Sequence, residues 1–272
     1  MRRTEKKLQK RYIFLIVYFV LLFIPIYWML ITSFKYDTEI LSGMSFFPKT
    51  FTLANYKEIF TSAVWMNSFK NSLIYVFLNV VIVLLVSVPG AYAFSRYNFL
   101  GDKHLFFWLL TNRMAPAAVF IVPFTELFYT LHIHDTHIAV ALGHCLFNIP
   151  LAIWILEGFM SGIPKEIDET AFVDGYSFPH FFRKIFFPLV APGIGVTAFF
   201  SFTFSWVELI IAKAATITNA KPVVVTLTVG IGAEGVKWGL LAAAGVLTII
   251  PGALVVYFVR NYMAKGFALG RV

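Results

Sequence analysis

Charge is scarce in this chain: 13% of its 272 residues are Asp, Glu, Lys or Arg, against 59% hydrophobic. A soluble domain of that length could not hide so much apolar surface, whereas a bilayer accepts it. One cysteine, Cys145, lies inside an apolar run, which excludes a disulfide framework and a thiolate metal cluster. The six histidines show no metal-ligand spacing. His132, His134 and His137 fall together in a short connection, where solvated side chains are expected. No G-x-x-x-x-G-K-[ST] stretch occurs, nor any Gly-Lys pair, so ATP has no Walker loop to bind. No Ser/His/Asp or Cys/His set stands in a catalytic context. The net charge of +8 does not point to nucleic acid, because the basic residues sit at the ends of apolar runs and form no stripe.

Uncharged or nearly uncharged runs dominate what remains. They are Tyr12–Phe34, Asn71–Ser95, Leu105–Thr130, Ile138–Leu156, Ile185–Val207 and Trp238–Val259. Each, with its flanks, supplies the roughly 20 residues a helix needs to cross the hydrocarbon core. Only helices satisfy their backbone within such a segment, so the chain reads as an all-α integral membrane protein with six transmembrane helices. The first run is too long for a signal-peptide core and lacks a small-residue cleavage site, which makes it an uncleaved span. With the N-terminus inside, 14 Lys and Arg lie on the inner side and 7 on the outer. The excess places both termini in the cytoplasm. The chain divides into a cytoplasmic basic tail (1–11), the first span (12–34), an extracytoplasmic segment (35–70), a core with the remaining five spans (71–262) and a cytoplasmic C-terminal tail (263–272). The segment 35–70 is long for a structureless loop and is expected to fold as a cap, with a helix near Asn55–Phe60.

The longest polar interruption of the second half is Ser161–Pro188, on the cytoplasmic side. It reads as two short helices joined by a bend, a knob that another protein could grip. Pro164 suits a first helical turn, and Glu166, Asp168 and Glu169 place negative charge at the positive end of the dipole. Ile163, Ile167 and Ala171 form one apolar side. Gly175 can take the left-handed conformation that ends a helix, and Ser177 can cap the next. Phe181, Phe182, Ile185 and Phe186 follow, and Pro188 is expected to close this second helix.

Ionised or polar groups inside spans are costly and should face a partner or a watery cavity. Asn112 and Arg113 precede Pro116, which should bend the third span. His144 and Asn148 lie in the fourth span, and Trp206 and Glu208 near the outer end of the fifth. These six are the candidate substrate path. Asn112, Arg113, Asn148 and Glu208 would pair with hydroxyls, and Trp206 would supply a flat apolar wall. Pro89–Gly90 and Gly193–Gly195 are expected to allow kinks and close helix approach.

The order Glu169, Ala171, Gly175, Ile185, Phe187-Pro188 resembles the EAA loop of ABC-importer permeases, Glu-Ala-Ala, three residues, Gly, nine residues, Ile, one residue, Leu-Pro. Thr170 and Phe187 depart from that pattern with residues of comparable character. Asn55-Tyr56, Asn71-Ser72-Leu73, Ala91–Arg96, Leu146–Phe159, Trp238-Gly239 and Lys265–Ala268 are similar to landmarks of the carbohydrate permeases related to the maltose system's smaller membrane subunit. The resemblance implies the type I ABC importer fold in a bacterial inner membrane. Implied partners are a second permease subunit, two ATPase subunits and an extracytoplasmic solute-binding protein; ATP and Mg would belong to the ATPases, and this chain would be non-catalytic. Glu169, Ala171, Asp174, Gly175, Ile185 and Pro188 would couple to an ATPase, with Lys265–Val272 nearby. The segment Ala214–Pro222, including Asn219 and Lys221, would approach the binding protein. The stretches Thr111–Pro116, Phe204–Glu208 and Lys265–Val272 resemble the glycerol-type importers, which implies a small polyol, glycerol, as substrate. An ABC permease for an oligosaccharide or sugar phosphate is the alternative. A stand-alone secondary transporter is the rival class; it lacks support from an inverted repeat and gives the knob no role.

Overall fold

The computed structural model describes residues 2–228, 231–232 and 235–269, with side chains over 12–228 and 235–260. The side chains of the basic tail and of Lys265–Val272, and residues 270–272 altogether, lie outside the described residues.

Helices α1 (Arg2–Ser33), α4 (Ala63–Arg96), α7 (His137–Ser161), α10 (Phe187–Val207) and α13 (Trp238–Leu269) are long and apolar. Among the described residues, five uninterrupted stretches are long and apolar enough to cross a membrane: Tyr12–Ser33, Ala63–Arg96, His137–Ser161, Phe178–Val207 and Trp238–Arg260. The second span starts at Ala63, ahead of the expected Asn71. Its 34 residues run to about 50 Å, well beyond the ~30 Å hydrocarbon core.

The third span is not one bent helix. It breaks into α5 (Asp102–Asn112) and a second arm, a 3₁₀ turn (Ala117–Phe120) leading into α6 (Ile121–Thr130), and the two arms meet at 95°. Pro116 has no N–H to continue the ladder and disfavours a helical Ala115. The chain therefore leaves the helix at Arg113 and re-enters it only at Ala117.

Two compact units are present, 1–66 with 227–251 and 67–226 with 252–272. In the first, α2 (Asp37–Ser42) and α3 (Ala54–Thr61) form the expected cap. Asn55 Nδ2 donates to the Ser33 and Lys35 carbonyls, both at 3.0 Å, and the Gly239 N–H donates to Asp37 Oδ1 at 2.8 Å. Gly239 is required there, since a Cβ would stand 2.6 Å from Asn55 Nδ2. A short antiparallel pair, β1 (Ile231–Gly232) and β2 (Gly235–Val236), belongs to this unit.

In the second unit α7 is the central helix, with twelve buried residues. Its polar groups are paired across helices. Asn148 Nδ2 donates to Asn79 Oδ1 at 2.8 Å, and Asn79 Nδ2 donates to the Ala141 carbonyl at 2.9 Å. Pairing of this kind removes the cost of burying amides away from water. Gly193 on α10 lets the Phe159 ring of α7 approach so closely that a Cβ would meet its Cγ at 2.7 Å.

The knob begins with α8 (Glu166–Val173). Gly175 adopts φ +82, and the Tyr176 and Gly175 N–H groups donate to the Ala171 and Phe172 carbonyls. This is the Schellman ending that a glycine at that position permits. Ser177 precedes α9 (Phe178–Phe181), but its side chain makes no cap hydrogen bond. Pro188 does not close the second helix. The chain continues from α9 through a π-helical turn, Phe182–Phe186, straight into α10. The Phe187 N–H reaches the Phe182 carbonyl, five residues back. A widened turn of this sort absorbs the missing donor and the ring of Pro188, where an α turn would clash with the carbonyl four residues earlier. The helices α11 (Ile210–Ala215) and α12 (Val223–Thr228) complete the unit up to Thr226.

Candidate functional site

The break after α5 turns Arg113 inward. Its Nη1 donates to the Phe147 carbonyl of α7 at 3.0 Å, and its guanidinium lies 4.2 Å from the centre of the Phe204 ring. Arg113, Phe147, His144, Asn148, Phe204 and Glu208 line one cavity of about 330 Å³. Four of the six candidate path residues thus share a wall. Asn112, the last residue of α5, and Trp206, buried and stacked on Phe202 at 5.7 Å, do not line it.

The members of that wall are not chemically equal. His144 Nδ1 bonds Ser205 Oγ at 2.7 Å, and Nε2 bonds Glu208 Oε2 at 3.0 Å. The Glu208 carboxylate also accepts the N–H groups of Ile210, Ile211 and Ala212, at 2.9 to 3.1 Å. It therefore closes the first turn of α11 and joins α10 to α11, using both oxygens. Arg113 makes no ion pair among the described residues. It is the charged group of this wall most open to a hydroxyl or an anion.

A second feature lies at Asn219 and Lys221. Asp135, itself at φ +59, accepts backbone N–H groups from Ile217, Thr218, Asn219 and Ala220 at 2.9 to 3.2 Å. Asn71 Nδ2 donates to the Asn219 and Lys221 carbonyls, while His137 Nε2 bonds Asn71 Oδ1. Ile217, Thr218 and Asn219 are exposed at the tip. Partial burial works to raise the Asp135 pKa, but the four N–H donors outweigh it and hold the carboxyl below the usual range. Neither Asp135 nor Asn71 was legible as a site residue, because an isolated Asp or Asn carries no periodic signal.

In the knob, Glu169, Asp174 and Gly175 are exposed, as is Pro188 at the start of α10. Ala171 is buried and Ile185 half-buried, so these two face the protein interior. Phe172, Val173, Tyr176 and Phe178 add an exposed apolar rim, with Val173 at 87%.

Apolar crossings, polar groups paired within them and an exposed bent helix pair define a multi-span helical membrane protein. The chain belongs to the family described as the binding-protein-dependent transport system inner membrane component, whose family model matches residues 87–268. That stretch contains both the cavity and the knob.

Two curated relatives cover nearly the whole chain. The probable ABC transporter permease protein y4oR of Sinorhizobium fredii is 31% identical over 99% of this chain and 97% of its own. The diacetylchitobiose uptake system permease protein DasC of Streptomyces coelicolor is 28% identical, covering 94% of each. Among solved structures, a bacterial ABC transporter involved in the import of the acidic polysaccharide alginate superposes with a TM-score of 0.81 at 21% identity. The match covers 97% of this chain and 98% of the other.

Proposed function

We propose that this chain is one half of the translocation channel of an ATP-driven importer for a small carbohydrate or polyol. In this reading both termini and the 161–188 knob face the cytoplasm, and an ATPase subunit grips the knob. A second permease completes the channel, and an extracytoplasmic binding protein delivers the solute near Ala214–Pro222. The observation that carries the reading is the bent pair α8–α9. It exposes Glu169, Asp174, Gly175 and an apolar rim while its inner side packs into the protein. A rigid handle with an exposed gripping face is what transmission of a partner's movement requires.

Glycerol is the favoured solute. The cavity's volume stands at the low end of the ~300–1,000 Å³ typical of ligand pockets. The oligosaccharide alternative is supported by the chitobiose permease relative. Uptake of radiolabelled glycerol and of diacetylchitobiose into cells carrying the complete transporter separates the two. Glu169→Lys or Gly175→Pro is expected to abolish uptake of whichever solute is carried while the protein stays in the membrane. Uptake at the wild-type rate in both variants would overturn the coupling role.

A further inference from the structure

Asp168 is turned into the protein where its neighbour Glu169 is exposed. It lies in α8, the first helix of the knob, and its side chain is 9% exposed. Its partner is Arg96, the last residue of α4, 5% exposed and 72 residues away. The contact is bidentate, Nε to Oδ2 at 2.9 Å and Nη2 to Oδ1 at 3.3 Å. The remaining arm of the same guanidinium, Nη1, donates to the Met160 carbonyl near the end of α7 at 3.0 Å. From α4, Tyr92 OH donates to Asp168 Oδ2 at 3.0 Å. The Tyr92 ring packs edge-on to Phe178, Phe182 and Phe186, with centroids at 4.9 to 5.5 Å. Arg96 in turn lies over Phe186, 5.1 Å from its centre. Lys165 Nζ, just before α8, donates to the Arg96 carbonyl at 3.3 Å.

One guanidinium and one carboxylate therefore join four parts of the chain: the end of α4, the end of α7, α8 and the π turn into α10. The pair has an evident cost, since both ions are out of water, and replacing such a pair by apolar groups is often neutral or stabilising. What the fork offers instead is geometry. Two parallel N–H···O contacts fix angle as well as distance, which a lysine or an apolar contact does not. The carboxylate and the Tyr92 hydroxyl leave α8 little freedom to roll about its own axis.

We propose that Arg96 and Asp168 are positioning residues that make the knob move as one body with the ends of α4 and α7. A push on the exposed face of α8 then shifts the channel helices and is not absorbed by rotation of α8. This rests on the coupling role proposed for the knob. Glu169 and its exposed neighbours would take the force, and the buried pair would hand it on.

The test uses the complete transporter carrying nitroxide labels at Val173 and Leu100, both almost fully exposed, in a Cys145→Ser background. Distances between labels are measured by pulsed electron spin resonance without nucleotide and after trapping with ATP, magnesium and vanadate. The expected result is a single narrow distribution that stays put in both conditions. Asp168→Asn and Arg96→Met should at least double its width, at unchanged helix content. Tyr92→Phe keeps the ring and removes one hydrogen bond, so it should give an intermediate width. Equal widths in all four proteins would overturn the proposal, as would a wild-type distance that changes on trapping. If either charge variant fails to assemble, Tyr92→Phe against wild type decides by the same criterion. Co-purification of an ATPase with the wild-type complex reports separately on the coupling reading. Its absence would remove that reading while leaving the rigidity of the joint measurable.

Discussion

The Asp135 carboxylate accepts the Asn219 N–H at 2.9 Å across 84 residues of sequence, and the same carboxylate holds the three neighbouring amides. A surface turn is thereby shaped around a half-buried anion. The fold favours the ionised form, so the folded pKa lies below that of the unfolded chain, near ~3.9. The resulting stabilisation is complete above the unfolded value and is lost as pH falls through the lower, folded one. Amide exchange at Ile217–Ala220, corrected for intrinsic rates, should be protected at pH 7 and at pH 5 and lose protection in strong acid. Asp135→Asn should lower that protection at pH 7 by about 1–3 kcal/mol, the worth of a charged hydrogen-bond set reduced to a neutral one. Protection independent of pH would show that Asp135 does not organise the turn.

Three glycines separate steric need from conformational need. At Gly193 an added Cβ meets Phe159 Cγ at 2.7 Å and Cβ at 2.9 Å, so the helices must part. Gly193→Ala should cost about 1–3 kcal/mol. At Gly175 nothing lies within 4 Å, but φ is +82, so Gly175→Ala should cost about 1–2 kcal/mol through strain alone. At Gly90 the nearest atom is the flexible tip of Ile153 at 3.4 Å, and alanine should be neutral or stabilise by about 0.5–1 kcal/mol. Thermal unfolding in one detergent should place Gly90→Ala at or above wild type and the other two below it.

Arg113 combines a charge with a flat face on Phe204. If it contacts the solute, Arg113→Ala should lower uptake about tenfold or more, equivalent to at least ~1.4 kcal/mol. Arg113→Lys should recover only part, because an ammonium cannot stack or fork. The measurement is initial uptake normalised to membrane content. Full activity in Arg113→Ala would remove the residue from the path.

Glu208 is expected to matter first for the joint between α10 and α11. Removing its carboxylate strips the first turn of α11 of its acceptor and leaves His144 Nε2 without its partner. Glu208→Ala should destabilise by about 1–2 kcal/mol, in the range of lost helix caps. Glu208→Gln retains an acceptor oxygen and should cost less. Chemical unfolding followed by tryptophan fluorescence compares the two; equal losses would argue that charge, and not capping geometry, holds the joint.

Much of the architecture was legible because a bilayer imposes a strict rule on length and polarity. The positions of the apolar crossings, the cap helix near Asn55 and the left-handed turn at Gly175 follow from run length, segment size and residue type. Pro116 announced a disturbance but not its size, since whether proline kinks or breaks a helix depends on what receives the freed groups. Here the Asn112 carbonyl, which Pro116 cannot serve, accepts the Ala115 N–H at 3.3 Å in a tight turn, and the two arms meet at 95°. Pro188 misled for the related reason that a π turn, invisible in composition, can carry a helix past a proline.

The candidate site divides along the same line. Residue type alone marked Arg113, His144, Asn148 and Glu208, because polar groups inside apolar runs are expensive wherever they occur. Trp206 and Asn112 looked equivalent in the chain and were separated only by which way their helices turn. Linear order established a membrane-spanning helical chain with a polar, bent helix pair at 161–188. Long-range pairing alone decided which carboxylates are occupied from afar: Asp135 by four amides, Glu208 by His144, Asp168 by Arg96. The physical reason is that crossing a membrane is a property of each segment by itself, while satisfying a buried charge needs a partner that folding brings from elsewhere in the chain.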